Sequence, residues 1–497
     1  MLEKNHQITP WRVVAFVVYV SVFLGIYAGT NYYLTNQKIL NKEGVLYFAD
    51  STYSLKIPNW LKNNREEKKE KQTDIRKIRQ QFGKNAQNNT SSQEKANTTS
   101  LKSNTTDSLP SEKEADSIAL QIRIQYPDES KQALANFFQT LQTLESNQSN
   151  ELFRVFHYGD SQLEGDRMTS ILRSQFQERF GGCGAGINGM NNNTNAKLSV
   201  KQENDSRWKT FSVFGNIIAP HNYFGALANF YQFADTAGYV IYKKSDRTHY
   251  KNQKIENIKI LYRNPNAPVQ LKIFEKENLI AQKELLPSRN FTIEQIETPN
   301  NFEEMKISFN SRKSPDIYGV ALDCQKGITF DNIPIRGSAG LEFHKIESNH
   351  LQKQARDLKI RFVILQFGVN VGLNSSDYNF YENQFYKEIM YLKKAMPQAS
   401  FLVIGTSDRS YKKENGYASY PGIIKLRDAQ KRAAFRAGCA FWDLYEAMGG
   451  RNSMPTWVKE GLAGKDYTHF KIEGANLVGN MLYQALIKEY EAFKLVN

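Results

Sequence analysis

The chain has 497 residues, with 65 Lys and Arg against 51 Asp and Glu for a formal net charge of +14, and is 40% hydrophobic. Its length predicts two or three domains, its apolar share excludes a wholly disordered chain, and a mean hydropathy of −0.58 excludes a protein with many membrane spans. Three cysteines are too few for a disulfide scaffold or a thiolate zinc module, and the positive excess suits an anionic partner such as nucleic acid, a lipid surface or an acidic polymer.

Residues 13–34, VVAFVVYVSVFLGIYAGTNYYL, carry no charge. As a helix rising 1.5 Å per residue, such a run spans a hydrocarbon core of about 30 Å. Lys4 and Arg12 precede it, and Trp11, Tyr32 and Tyr33 stand where interfacial aromatics are favoured. A cleaved signal peptide usually has an apolar region of about 7–15 residues and a small-residue cleavage site. This run is longer and has no clean site. It is read as a transmembrane anchor, so 1–35 form a cytoplasmic tip and anchor, with everything after them exported.

Residues 36–116 are read as a membrane-proximal segment and a disordered polar tether. NNREEKKEKQ leads into KNAQNNTSSQEKANTTSLKSNTTDS, which cannot bury enough apolar area to offset its ordering entropy. The flexible part, residues 61 to about 115, is about 55 residues and reaches roughly 40 Å, and its first part, 61–80, can instead continue as a charged helix and still serve as a spacer.

From residue 117 the pattern becomes globular. Leu134, Phe137, Phe138, Leu141 and Leu144 have helical spacing. LFRVFHYG (152–159) reads as a strand, and SQLEGDRMTSILRSQFQERFG after it as a helix with a glycine stop. Residues 117–190 thus open an α/β domain. Between 191 and 325 the texture is short, alternating and β-rich (KTFSVFG, GYVIYKK, NIKILYRN, PVQLKIFEKE, EMKISFNS), which predicts an inserted β-sandwich or jelly roll. From 326 to 497 the αβ alternation resumes with the buried strands ITFDNIPI, RFVILQF, FLVIG and CAFWDL and their intervening helices. With the strand at 153–158 this gives five parallel strands in a three-layer α/β/α sandwich, split by the insert after its first βα unit.

Four places in this frame carry chemistry. Gly159-Asp160-Ser161-Gln162 stands where the first strand ends, the end at which such folds place their sites. A serine there exposes its hydroxyl, but a helix cap explains it equally well. Asp466-Tyr467-Thr468-His469 precedes the last helix, and an Asp and His three apart on a turn can pair carboxylate to Nδ1, leaving Nε2 for a nucleophile. Asn370, in Gly368-Val369-Asn370 after RFVILQF, can offer an amide N–H to an oxyanion. Gly337, in Arg336-Gly337-Ser338-Ala339-Gly340 after ITFDNIPI, allows close approach of a substrate. A metal site would want more His/Asp blocks at ligand spacing than the chain has, and a G-N-H-[DE] block is absent.

Taken singly, each place has an ordinary loop explanation. Together, their order of Ser, Gly, Asn and Asp-x-x-His resembles the SGNH/GDSL hydrolase family over about 150–190 and 326–490. The resemblance implies Ser161 as nucleophile, His469 as base and Asp466 as its partner. It also implies an oxyanion hole of the Ser161 N–H, Gly337 and Asn370, with no metal or organic cofactor. Gly340 competes with Gly337 for the second block, and Gly337 follows its strand more closely. Val371 stands where many members carry Asp or Glu.

HYGDSQLEGD (157–166), the β insert and KEGLAGKDYTHF (459–470) resemble the peptidoglycan O-acetylesterase branch, in which the insert resembles a carbohydrate-binding module. This implies a membrane-anchored exported esterase of the bacterial inner membrane, its catalytic domain periplasmic, acting on O-acetylated cell-wall or surface glycan. An O-acetyltransferase with the same site and a membrane acyltransferase partner is the first alternative, and a non-catalytic glycan-binding scaffold the second. Nucleic acid is not expected, since no element carries a basic stripe and export removes that partner. Trp208, Tyr223 and Phe224 of the insert are either sugar-stacking or core residues. Cys183 and Cys324 flank the insert and can pair in an oxidising compartment, whereas Cys439 opens a buried strand and reads as a core thiol.

Overall fold

The computed structural model describes residues 122–496, apart from 192–196, 247–253, 265, 299–302 and 415, together with the helix Ile75–Gly83, the strands Val45–Phe48 and Ser51–Ser54, and residues 18, 19, 21 and 22. Nearly all of the predicted transmembrane anchor lies outside the described residues, among which no helix is long and apolar enough to cross a membrane. Val45–Phe48 and Ser51–Ser54 pair as an antiparallel hairpin in a compact unit of residues 1–71, separate from the unit of 72–497.

In the larger unit, the helix α1 (Ile75–Gly83) falls inside the stretch read as tether. Its sequence IRKIRQQFG puts Ile75, Ile78 and Phe82 at i, i+3 and i+7, and all three are buried. They join the core beneath the last helix, whose Asn480 amide donates to the Phe82 carbonyl at 3.0 Å. The surrounding charge hid a three-residue apolar stripe that suffices to dock one short helix.

The α/β domain is built from α2 (Ala135–Glu145), β1 (Leu152–Gly159), α3 (Thr169–Phe180), β2 (Gly327–Pro334), α4 (Ser348–Asp357), β3 (Ile360–Gln366), α5 (Asn379–Ala395), β4 (Ser400–Ile404), α6 (Ile423–Arg436), β5 (Ala440–Trp442) and α7 (Ile472–Val496). The five strands are parallel in the order β2-β1-β3-β4-β5. A short strand, Ile124–Gln125, which the sequence reading did not contain, adds antiparallel to the edge at β5. Side chains along β1 alternate between two cores: Val155 faces the one shared with α1, α2, α3 and α7, while Phe156 and Tyr158 face the one shared with α4, α5 and α6. This is the expected three-layer sandwich, and it explains why each strand reads as a continuous apolar run.

The insert is a sandwich of two antiparallel sheets. One has the order Ser288–Glu297, Asn257–Asn264, Asp316–Asp323, Asn229–Phe233, Trp208–Ser212; the other runs Asn278–Leu285, Val269–Glu275, Glu304–Asn310, Ala237–Lys243, Lys201–Asn204. Alternation decides the faces: in Val269–Glu275 the buried residues are Val269, Leu271 and Ile273. Gly184–Asn188, assigned by sequence to the α/β part, pairs instead with Asp316–Asp323 of the insert. The glycines of GGCGAG masked its strand character.

Two devices fasten the insert to the α/β domain. Cys183 and Cys324 form a disulfide. Beside it, the fully buried Arg154 of β1 donates to both carboxylate oxygens of Asp331 on β2 at 3.0 Å and pairs with Asp323 of the insert. Asp331 also accepts the Ile187 N–H at 2.7 Å. A guanidinium between two carboxylates answers the cost of burying each charge.

Candidate active site

The site forms where β1 ends. The Asp160 carboxylate accepts the Gln162 N–H at 3.0 Å and caps a 3₁₀ turn, Ser161–Asp166. The continuous helix expected from Ser161 is therefore interrupted. Gly165 at φ +75° and Asp166 at φ +61° break it, and α3 begins at Thr169. Asp166 is held in this unusual backbone by the buried Arg173, which donates to its two oxygens at 2.7 and 3.1 Å. The break turns the Ser161 hydroxyl toward the loop ahead of α7.

That loop is a tight turn closed by pairing of Ala463 with Phe470, with the Gly464 N–H donating to the His469 carbonyl at 2.8 Å. Asp466 Oδ1 accepts the N–H groups of Thr468 and His469 at 3.1 Å each, while Oδ2 lies 2.7 Å from His469 Nδ1. Partial burial would raise the Asp466 pKa, but these bonds outweigh it and hold the carboxyl below its ordinary value. Its acceptor-only oxygen assigns the proton to Nδ1 and leaves Nε2 as the acceptor. His469 Nε2 lies 2.8 Å from Ser161 Oγ. The structure thus brings the three residues together in one hydrogen-bonded line.

Gln162 and Arg167, which the sequence reading passed over, register the two loops. The Gln162 side chain donates through Nε2 to the Thr468 carbonyl at 2.7 Å and accepts the Phe470 N–H through Oε1 at 3.2 Å. Arg167 donates to the Ser161 carbonyl at 3.3 Å and also to that of Phe470. One amide therefore grips the backbone on both sides of His469. The signal was present: Gln162 directly follows the serine, and only a polar side chain buried there could satisfy backbone groups of a second loop.

Gly337 and Asn370 stand on the loops after β2 and β3. Gly337 has φ +84°, and a Cβ added there would lie 2.8 Å from the Phe214 ring of the insert. Glycine is required by the backbone, and an added Cβ would also have to displace the exposed Phe214 ring. The rival Gly340 packs against Phe367, and its N–H donates to Ser338 Oγ at 2.8 Å, so that N–H is occupied. Asn370 donates one amide hydrogen to the Ser338 carbonyl at 3.0 Å, and an amide carries two. Behind them Asp160 is buried and accepts the Val369 N–H at 3.1 Å as well. Burial pushes its pKa up to about 6, against the lowering effect of the two N–H groups and of His469 and Arg409.

Of the three insert aromatics, Trp208 and Phe224 are buried core residues. Tyr223 is half-buried with the Arg263 guanidinium over its ring at 4.2 Å. Phe214 instead, 41% exposed, is the insert aromatic that reaches Gly337.

Among solved structures, a peptidoglycan O-acetylesterase matches 74% of this chain and 99% of its own with a TM-score of 0.61 at 20% identity. The fold is that of the SGNH hydrolases. A family two carbohydrate esterase from Clostridium thermocellum matches 57% of this chain and 98% of its own at 8% identity, with a TM-score of 0.25. No protein-family model and no curated protein sequence matches the chain. At these identities the likeness establishes the SGNH fold, and the chemistry rests on the geometry above.

Proposed function

We infer that this protein is an exported serine esterase that removes O-acetyl groups from peptidoglycan or another surface polysaccharide. The observation that carries the reading is the line Ser161 Oγ, His469, Asp466, with separations of 2.8 and 2.7 Å. Ser161 Oγ attacks the acetyl carbonyl while His469 Nε2 accepts its proton, and Asp466 stabilises the imidazolium that results. Negative charge developing on the carbonyl oxygen is held by the Ser161 N–H, the Gly337 N–H and the free amide hydrogen of Asn370. Collapse breaks the bond to the sugar oxygen, and His469 returns the proton to it. Water then repeats the sequence on the acetyl-serine, releasing acetate and regenerating Ser161.

The choice of glycan over other esters is supported by the sandwich insert, whose Phe214 ring lies 2.8 Å from where a Cβ on Gly337 would stand, and by the net charge of +14, which suits an anionic wall. Residues 13–34 anchor the protein in the inner membrane, with the catalytic domain on the periplasmic side. The test is acetate release by the full chain from O-acetylated peptidoglycan and from acetylated xylan, side by side. Faster release from peptidoglycan is expected; no release from either polymer overturns the reading.

A further inference from the structure

The segment after β4, Gly405–Ser410, packs against the loop that carries Asn370. From it the Arg409 guanidinium donates through Nη2 to the Val371 carbonyl at 2.9 Å and through Nη1 to the Val369 carbonyl. The Val369 carbonyl belongs to the peptide plane just before Asn370, and the Val371 carbonyl to the second plane after it. On the opposite side of the loop, Asp160 accepts the Val369 N–H, and within it the Val371 N–H closes a turn onto the Gly368 carbonyl at 3.2 Å. Arg409 is half-buried, its guanidinium 5.9 Å from the centre of the Tyr420 ring. Burial lowers its pKa while the Asp160 charge raises it.

We propose that Arg409 is a positioning residue that fixes the Asn370 amide at the oxyanion hole, an inference that rests on the esterase reading for Asn370. The loop 368–371 is short, its asparagine is exposed, and among the described residues the side-chain bond of Asn370 runs to another loop, at Ser338. Without an external clamp, rotation of the peptide planes along residues 369–371 would swing the Asn370 side chain. A planar fork donating to both carbonyls removes that freedom, and Asp160, adjoining Ser161 in sequence, ties the same loop to the nucleophile. Lysine cannot substitute: its ammonium is a point donor without the two-pronged geometry. The clamp acts most when negative charge develops at the hole, so its loss falls on kcat and leaves KM largely alone.

The test uses the full chain with Arg409→Lys, Asn370→Ala and the double variant. Arg409→Lys should lower kcat on a soluble acetyl ester about 10–100-fold with KM within about threefold, no more than the roughly 10²–10³-fold lost when an oxyanion donor is removed outright. The double variant should be no slower than Asn370→Ala alone, within about threefold, because both changes remove one interaction. Additive losses would overturn the proposal. If Arg409→Lys does not fold, Arg409→Gln, which retains one donor, gives the same comparison. A second readout needs no activity. The side-chain amide resonances of Asn370, assigned by their absence in Asn370→Ala, should shift and broaden in Arg409→Lys, and unchanged resonances overturn the proposal. Wild-type protein that releases no acetate would refute the esterase reading, and the amide spectrum would still judge Arg409.

Discussion

Replacing both Cys183 and Cys324 with serine should cost this protein much of its stability while leaving its native geometry in place. The two sulfurs are joined across a sequence separation of 141 residues. In the loop-closure treatment, a cross-link of that span removes about 17 cal/mol/K of chain entropy from the unfolded state, or about 5 kcal/mol at 25 °C. The folded state gives little of this back, because the same point is already held by other means. Cys183 adjoins Gly184, which pairs with Asp323 next to Cys324, and Arg154 binds Asp323 and Asp331 alongside. Residual structure in the unfolded chain makes about 5 kcal/mol an upper bound. The assay is urea unfolding of oxidised wild type and the double-serine variant. A loss of about 2–5 kcal/mol is expected, with a reductant moving the wild type to the variant's midpoint and leaving the variant unmoved. A loss below about 1 kcal/mol, or a reductant effect on the variant, refutes the loop-closure reasoning.

Three further outcomes follow from the site. Gln162→Leu removes both grips on the His469 loop and should lower kcat about 10–100-fold, as a misplacement of about 1 Å does; a kcat within twofold of wild type would show that the loop holds itself. Gly337→Ala adds a Cβ at φ +84° that meets Phe214 at 2.8 Å, so kcat/KM should fall. Adding Phe214→Ala should recover part of the loss but not the backbone cost of about 1–2 kcal/mol; full recovery would mean that only the contact matters. Asp160, raised by burial to about 6 from an ordinary 3.8, favours its uncharged form in the fold. Its contribution to stability is therefore complete below about pH 4 and lost as pH rises through about 6. Carboxyl-carbon NMR should place its midpoint near 6, and a midpoint below 4 contradicts the burial argument.

The parts legible in the sequence were those that depend on local pattern. Apolar runs at strand length gave the five parallel strands, because β1 and its neighbours are buried on both faces. Alternation gave the insert. The order of Ser161, Gly337, Asn370 and Asp466-x-x-His469 indicated which loops would meet, since parallel strands place their carboxyl ends at one edge. What escaped depended on single residues acting across space. The turn at Gly165 and Asp166 is stabilised by Arg173, seven residues on. The packing of α1 rests on Ile75, Ile78 and Phe82 in a stretch whose average is polar. Gln162 and Arg409 act on backbone groups of loops about 300 and 40 residues away in sequence, and their own neighbours carry no sign of those partners. Phe214 was unreadable for the same reason: an aromatic in a turn gives no hint that it rests on a glycine of another domain.

The central claim is that Ser161, driven by His469 and Asp466, performs the ester chemistry. It is tested most directly by measuring acetate release from one O-acetylated peptidoglycan preparation with wild type and Ser161→Ala at equal concentration. Loss of the nucleophile should reduce the rate by at least about 10³-fold, to what the remaining hydrogen-bond donors can sustain. A Ser161→Ala protein that releases acetate at a tenth of the wild-type rate or more would contradict the account.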